Sequence, residues 1–230
     1  MGTAQPTFYF SLRSPYSWLA LHDLKVTYPK LLARLRLVPF WEPDVAYHEA
    51  LGRNGETFLY TVMSKEKHLY ILTDVKRLAA RRGMVPSWPI DRSPRWEVPH
   101  LAWIVAEAHG QGLAFIERVT AARWQHGLDI CDPKVIAVIG ADLRLDASEL
   151  ENAHANPTLR EAGLLHLKTC IRDGVFGVPF FAVGREKFWG LDRLPDFIGA
   201  VAQASTPQLP VDSAVEQPNR ALLDHAGGCG

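Results

Sequence analysis

Strand-like runs stand in only two regions of this 230-residue chain, and a long helical stretch separates them. FYF at Phe8–Phe10 and LRLVPFW at Leu35–Trp41 have the aromatic and branched character of strands. Between them Trp18, Leu19, Leu24, Tyr28, Leu31 and Leu32 recur at helical spacing. Strand, helix and strand in that order predict a parallel pair, because two consecutive strands can run the same way only across a long crossover. Strand signals return at Phe176. VPFFAVG and KFWG flank a short turn around Gly184–Glu186 and predict an antiparallel hairpin, and LDRLPDFIGAVAQ reads as a closing helix.

The middle is helical. KEKHLYILTDVKRLAARRG carries Leu69, Leu72, Val75, Leu78 and Ala79 on one stripe, with Gly83 as a stop. A loop dense in proline and tryptophan runs from Val85 to Pro99. Further helical patterns follow in HLAWIVAEAHG, LAFIERVTAARWQHG, DPKVIAVIGADL and TLREAGLLHLKTCIRDG. This block spans roughly 120 residues, the usual size of a domain. The order βαβ, helical block, ββα predicts an α/β chain: a thioredoxin-like domain with an all-helical insertion. The expected boundaries are 5–45 and 175–205 for the discontinuous thioredoxin-like domain and 46–174 for the insertion. Residues 206–230 have little periodicity and are expected to form a mobile tail.

Charge and cysteine usage narrow the function. Lys plus Arg (25) balance Asp plus Glu (25), which argues against broad electrostatic binding to nucleic acid or an anionic membrane. The longest apolar runs, such as LAWIVA at Leu101–Ala106, are too short to span a bilayer, and no basic segment with a hydrophobic signal core opens the sequence. A cytoplasmic location without nucleic-acid or membrane partners is therefore expected. Cys131, Cys170 and Cys229 form no C-x-x-C, and the nine histidines include no H-x-x-x-H, so no local metal motif is present. A phosphate-cradling glycine loop and a G-x-S-x-G elbow are missing as well.

One short stretch has two readings. In FYFSLRSPYSWLA, Ser14 stands where a helix N-cap belongs. Pro15 follows at the first helical position, where its missing N–H costs nothing. An ordinary cap explains these residues. So does an anion site, because a helix N-terminus with free N–H groups is the same physical object.

FYFSLRSPYSWLA, KHLYILTDVKRLA and above all GVFGVPFFAVGREKFWGLDRL, taken in order, resemble three signatures of the 2-hydroxychromene-2-carboxylate isomerase family. That family is related to kappa-class glutathione transferases and, more remotely, to DsbA-like oxidoreductases. The resemblance covers about Thr7–Val201. It implies glutathione, or another low-molecular-weight thiol, as the cofactor, with its bound thiol standing where DsbA-like enzymes have a protein cysteine, and Ser14 as the catalytic group that hydrogen-bonds the sulfur. It implies a cis Val178–Pro179 peptide whose backbone pairs with the tripeptide, and Asp192 and Arg193 at the γ-glutamyl end. Asn54 and Lys67 match by spacing the asparagine and lysine near the substrate and glycyl carboxylates. Plain structural roles stand beside these: Asp192 as a cap of the last helix, Asn54 as a turn residue, and Lys67 as a solvated lysine.

The sequence also departs from that pattern. Arg13 stands beside Ser14 where the family usually has a small or apolar residue, and either clamps a substrate carboxylate or points to solvent. Ser11 replaces a common aspartate, and GETFLYTV after Asn54 lacks the usual prolines. The expected function is a glutathione-dependent isomerase acting on an aromatic or quinonoid carboxylic acid. A kappa-like transferase and a non-catalytic binding protein on the same fold remain as alternatives. A dithiol oxidoreductase is disfavoured, since Ser14 and Ser17 stand where C-x-x-C is needed. The resemblance also implies a homodimer, with the aromatic Trp88–Trp96 loop as candidate contact surface.

Overall fold

The computed structural model describes residues 5–60 and 63–205; the expected tail at 206–230 lies outside them. Strands β1 (Thr7–Phe10), β2 (Arg36–Pro39), β3 (Phe180–Val183) and β4 (Glu186–Trp189) form one sheet in the order β2-β1-β3-β4. β1 runs parallel to β2, with Phe8 opposite Leu37, and antiparallel to β3, with Phe8 opposite Phe181. The β3–β4 hairpin closes through Gly184 and Arg185, and Gly184 takes the positive φ of 60° that the first position of such a turn favours. The expected parallel pair and hairpin are therefore both present, side by side in one mixed sheet.

Helix α1 (Pro15–Thr27) joins β1 to β2, but ends sooner than the apolar stripe suggests. Tyr28 leaves helical geometry and Pro29 starts a separate turn, α2 (Pro29–Leu32). The cause is local: proline disfavours the α conformation in the residue before it and supplies no N–H to the preceding turn. Between β2 and β3 run α3 (Val45–Gly52), α4 (Lys65–Ala80), α5 (Glu97–Ala108), α6 (Gly112–Trp124), α7 (Pro133–Asp142), α8 (Ala147–Asn152) and α9 (Pro157–Arg172). α10 (Leu194–Ser205) closes the described chain. Among the described residues no helix is long and apolar enough to cross a membrane.

The core is aromatic where sheet and helices meet. Phe181 of β3 stacks on Phe8 of β1 and on Phe197 of α10, each with ring centroids 5.0 Å apart, while Phe10 meets Trp103 of α5 edge-on. A smaller cluster of Trp18, Leu19, Val75, Ala79 and Trp124 joins α1 to α4 and α6. Only the C-terminal half of the α4 stripe is used this way, and Leu69 is left exposed. The proline-rich loop turns its tryptophans inward: Trp96 is buried and Trp88 packs edge-on against Trp124. The loop's large exposed apolar side chains are Val85 and Ile90, while Trp88 is partly buried.

Candidate active site

Ser14 lies where β1 hands over to α1. Its extended backbone (φ −85°, ψ 120°) makes it the N-cap, and its Oγ accepts the Ser17 N–H at 3.1 Å. The expected cap is thus real. The same Oγ lies 3.5 Å from the carbonyl of Val178, to which it donates, and the Val178–Pro179 peptide is cis. Pro179 O accepts the Gly190 N–H at 2.9 Å, which ties this loop to the end of β4. Gly177 allows the loop to lie close to Trp189, since a Cβ there would stand 2.8 Å from the indole Nε1. Val178 N–H finds no hydrogen-bond partner among the described residues. A half-buried hydroxyl at a helix N-terminus therefore touches a loop residue whose backbone N–H is unpaired. This donor set fits a thiolate held at the helix start and an extended peptide laid along Val178.

A tight web of hydrogen bonds shapes the turn before Ser14. Ser11 O accepts the Ser14 N–H at 3.0 Å, Ser17 Oγ accepts the Ser11 N–H at 3.3 Å, and Ser11 Oγ accepts the Arg13 N–H at 3.3 Å. Beneath the turn lies His100 of α5, fully buried and stacked on Trp41. Its Nδ1 is 2.7 Å from Trp96 O, an atom that can only accept, so Nδ1 carries the proton. Nε2 is then the acceptor for the Leu12 N–H at 3.1 Å and the Ser11 hydroxyl at 3.3 Å.

Burial pushes the His100 imidazole down to about 3, against about 6.5 in an unfolded chain. Between those values the unfolded chain binds the proton and the folded chain does not. The contribution of this histidine is thus present above pH 6.5 and lost as pH falls towards 3. Each pH unit in that window is worth about 1.4 kcal/mol. The wild-type protein is accordingly expected to lose about 2 kcal/mol more stability between pH 7 and pH 5 than His100→Gln does, measured by urea unfolding at the two pH values.

Arg13 neither points to solvent nor stands free. Its guanidinium pairs with Glu42 at 2.7 Å and lies over the rings of Trp96 and Tyr60, with 5.1 and 5.7 Å to their centroids. A second guanidinium on Trp96 is that of Arg123, also 5.1 Å from the ring centroid. Arg123 is itself 4.8 Å from the Trp124 centroid and held by both carboxylate oxygens of Asp91. Arg13 and Glu42 line an open cleft of about 470 Å³ with Tyr60, Met63, Ser64, Lys65 and His68. Lys65 has no ion-pair partner among the described residues, so with Arg13 and Glu42 matched the cleft retains positive charge. That composition favours a small anion with an aromatic or apolar body.

The remaining sequence-predicted residues lie around this centre or apart from it. Asp192 and Arg193 form a turn that follows the Gly190 anchor and packs on α1. Asp192 caps nothing: a 3₁₀ turn over Leu191–Arg193 intervenes before α10, and its exposed carboxylate has Arg193 Nε at 3.7 Å. Asn54 sits in the turn after α3, its amide donating to Ala50 O at 3.1 Å, and Lys67 is exposed in the first turn of α4. Neither lines the cleft or bonds to Ser14, Arg13 or Val178. It is Lys65 and His68, from the same turn of α4, that face it. Tyr16 of the S-P-Y-S stretch donates to Asp74 of α4 at 2.8 Å, and burial with that carboxylate holds its phenol well above the usual range.

A serine-capped helix opposite a cis-proline loop, on a sheet with helices inserted between its parallel and antiparallel halves, defines a thioredoxin-fold protein of the DsbA class. The family model described as a DSBA-like thioredoxin domain matches residues 7–202, and the chain belongs to that family. A 2-hydroxychromene-2-carboxylate isomerase from Sphingobium xenophagum is 28% identical over 193 residues, 83% of this chain and 94% of that protein. Another of that name from Pseudomonas putida is 26% identical over 190 residues, 81% of this chain and 89% of its own. A solved 2-hydroxychromene-2-carboxylate isomerase shares the fold with a TM-score of 0.68 at 24% identity, over 86% of this chain and 94% of that one.

Proposed function

We propose that this chain is a glutathione-dependent isomerase acting on an aromatic or quinonoid carboxylic acid. The observation that carries this reading is the contact of Ser14 Oγ, at the α1 N-terminus, with the backbone of Val178 in the cis-proline loop, whose N–H is left unpaired. Two relatives named as 2-hydroxychromene-2-carboxylate isomerases, aligned over most of the chain, support it. Bound glutathione supplies a thiolate whose reversible addition to a conjugated double bond makes that bond single long enough to rotate. The protein's part is to hold and orient. Ser14 turns its hydroxyl hydrogen from the Val178 carbonyl to the sulfur anion while its lone pair stays on the Ser17 N–H, and the positive end of the α1 dipole, where the Tyr16 N–H is the one not taken up by Ser14, favours the charge. Val178 offers its backbone to the tripeptide, and the Asp192 carboxylate attracts an ammonium group. Arg13 holds the substrate carboxylate from the cleft side, with Lys65 adding to the attraction.

The test follows absorbance of a chromene or benzylidene-pyruvate type acid with substoichiometric glutathione. Many turnovers per glutathione, with the thiol recovered, are expected. Stoichiometric loss of the thiol identifies a transferase instead. Absence of both glutathione binding and turnover leaves a binding protein and ends the proposal. Within the isomerase reading, Arg13→Ala is expected to raise KM for the acid about tenfold and to leave kcat within about threefold, because it removes binding common to ground and transition states. A fall in kcat at unchanged KM speaks against this role for Arg13.

A further inference from the structure

The hydrogen bonds that shape the Ser11–Ser14 turn converge on one side chain that touches neither the cleft nor the α1 cap. His100 Nε2 takes the Leu12 N–H and the Ser11 hydroxyl, and Ser11 in turn takes the N–H groups of Arg13 and Ser14 on its Oγ and O. The imidazole has little freedom to turn. Nδ1–H is committed to Trp96 O one helical turn back, and the ring lies flat on Trp41 with centroids 5.2 Å apart and planes 19° apart. Trp96, whose carbonyl fixes the imidazole, is the residue whose ring supports the Arg13 guanidinium. A single helical segment thus reaches Ser14 through the Ser11 backbone and Arg13 through both Ser11 and the indole.

We propose that His100 is a positioning residue: its Nε2, held as an acceptor by the Nδ1–H bond to Trp96, sets the Ser11–Leu12 turn that aims Ser14 Oγ and Arg13 at their ligands. The proposal rests on the reading of Ser14 as the donor to a bound thiolate. A carboxylate at position 11 would bring a charge beneath the turn, whereas a serine hydroxyl matches a neutral acceptor and passes the bond on to Arg13 N–H. The neutral imidazole and Ser11 form a complementary pair. Without Nε2, a buried N–H and a buried hydroxyl lose their acceptor, and the turn must reorganise to satisfy them.

The experiment compares the full-length wild type with His100→Phe, which keeps a ring on Trp41 but has no acceptor, and His100→Gln, whose amide oxygen can take the Leu12 N–H. In glutathione-free protein, nitrogen NMR is expected to show the Nδ1–H tautomer from pH 5 to pH 8 and slow exchange of the Leu12 amide. His100→Phe should lose that protection, and its kcat should fall about tenfold or more with KM for glutathione changed less than about threefold; His100→Gln should recover most of kcat. The opposite tautomer in the wild type overturns the proposal, as does a folded His100→Phe with normal kcat or a His100→Gln no better than it. Should His100→Phe not fold, Ser11→Ala takes its place, with a partial fall in kcat expected and no change overturning the proposal. A wild type indifferent to glutathione strikes at the functional reading alone, since the tautomer and the Leu12 amide still decide what holds the turn.

Discussion

Replacing Ser14 with alanine is expected to slow turnover ten- to a hundredfold and, separately, to lower stability by about 1 kcal/mol. The first effect comes from the hydroxyl hydrogen: a hydrogen bond to a charged group contributes about 1.5–3 kcal/mol, which is that range in rate when it is made to the reacting sulfur. The second comes from the lone pair that accepts Ser17 N–H, since removing an N-cap costs about 0.5–2 kcal/mol. Two further variants separate them. Ser14→Gly costs only a few tenths of a kcal/mol as a cap, so it should be nearly as stable as wild type yet as slow as alanine. Ser14→Asp caps well but sets a carboxylate against the sulfur anion, and should be the slowest of the three. Steady-state kinetics beside urea unfolding gives both readings. Full activity in Ser14→Gly would show that the hydroxyl has no part in the chemistry.

Phe181→Ala is expected to cost about 3–5 kcal/mol, a large fraction of the stability of a domain this size. Phe181 is fully buried and its ring is stacked on both sides, against Phe8 from the neighbouring strand and Phe197 from the closing helix. Its removal opens a cavity between layers that the sheet cannot fill without shifting register. Trp189→Ala, on the edge strand and half exposed, removes a larger ring yet should cost less than about 2 kcal/mol. Urea midpoints of the two variants decide the matter. A Phe181→Ala no weaker than Trp189→Ala would mean that the stack of three rings is not central to the fold.

What the sequence makes legible follows from how local each signal is. Short aromatic and apolar runs about a glycine turn mark the hairpin, and Ser14-Pro15 marks the start of α1, because each is encoded within a few adjacent residues. The short helices α3 and α8 escape notice. Asp44 and Asp146 cap them in plain sight, but eight and six residues carry too little periodicity to stand out. Asp192 looks like a cap because a proline follows it, and the intervening 3₁₀ turn has no sequence mark of its own. The family signatures lead to Ser14 and Val178. They do not lead to His100, a single histidine on an apolar helix, whose importance lies in partners nearly ninety positions away. Nor does the pairing of Arg13 with Glu42 and Trp96 show in the sequence, since it is settled by tertiary packing alone.

The alternation of rings and guanidinium groups from Tyr60 through Arg13, Trp96 and Arg123 to Trp124 bears on selectivity. A free arginine on a cleft wall follows its ligand, at an ordering cost of about 0.5–1.5 kcal/mol that every ligand meets. Arg13 is already ordered between two aromatic faces and a carboxylate, so if it holds a substrate carboxylate as proposed, an acid of the right length would meet little of that cost. An acid whose carboxylate sits one bond nearer or farther finds a donor that does not move to meet it. Under the proposed function the ladder would make the cleft act as a ruler, discriminating among acids by the distance between charge and ring more than by charge itself.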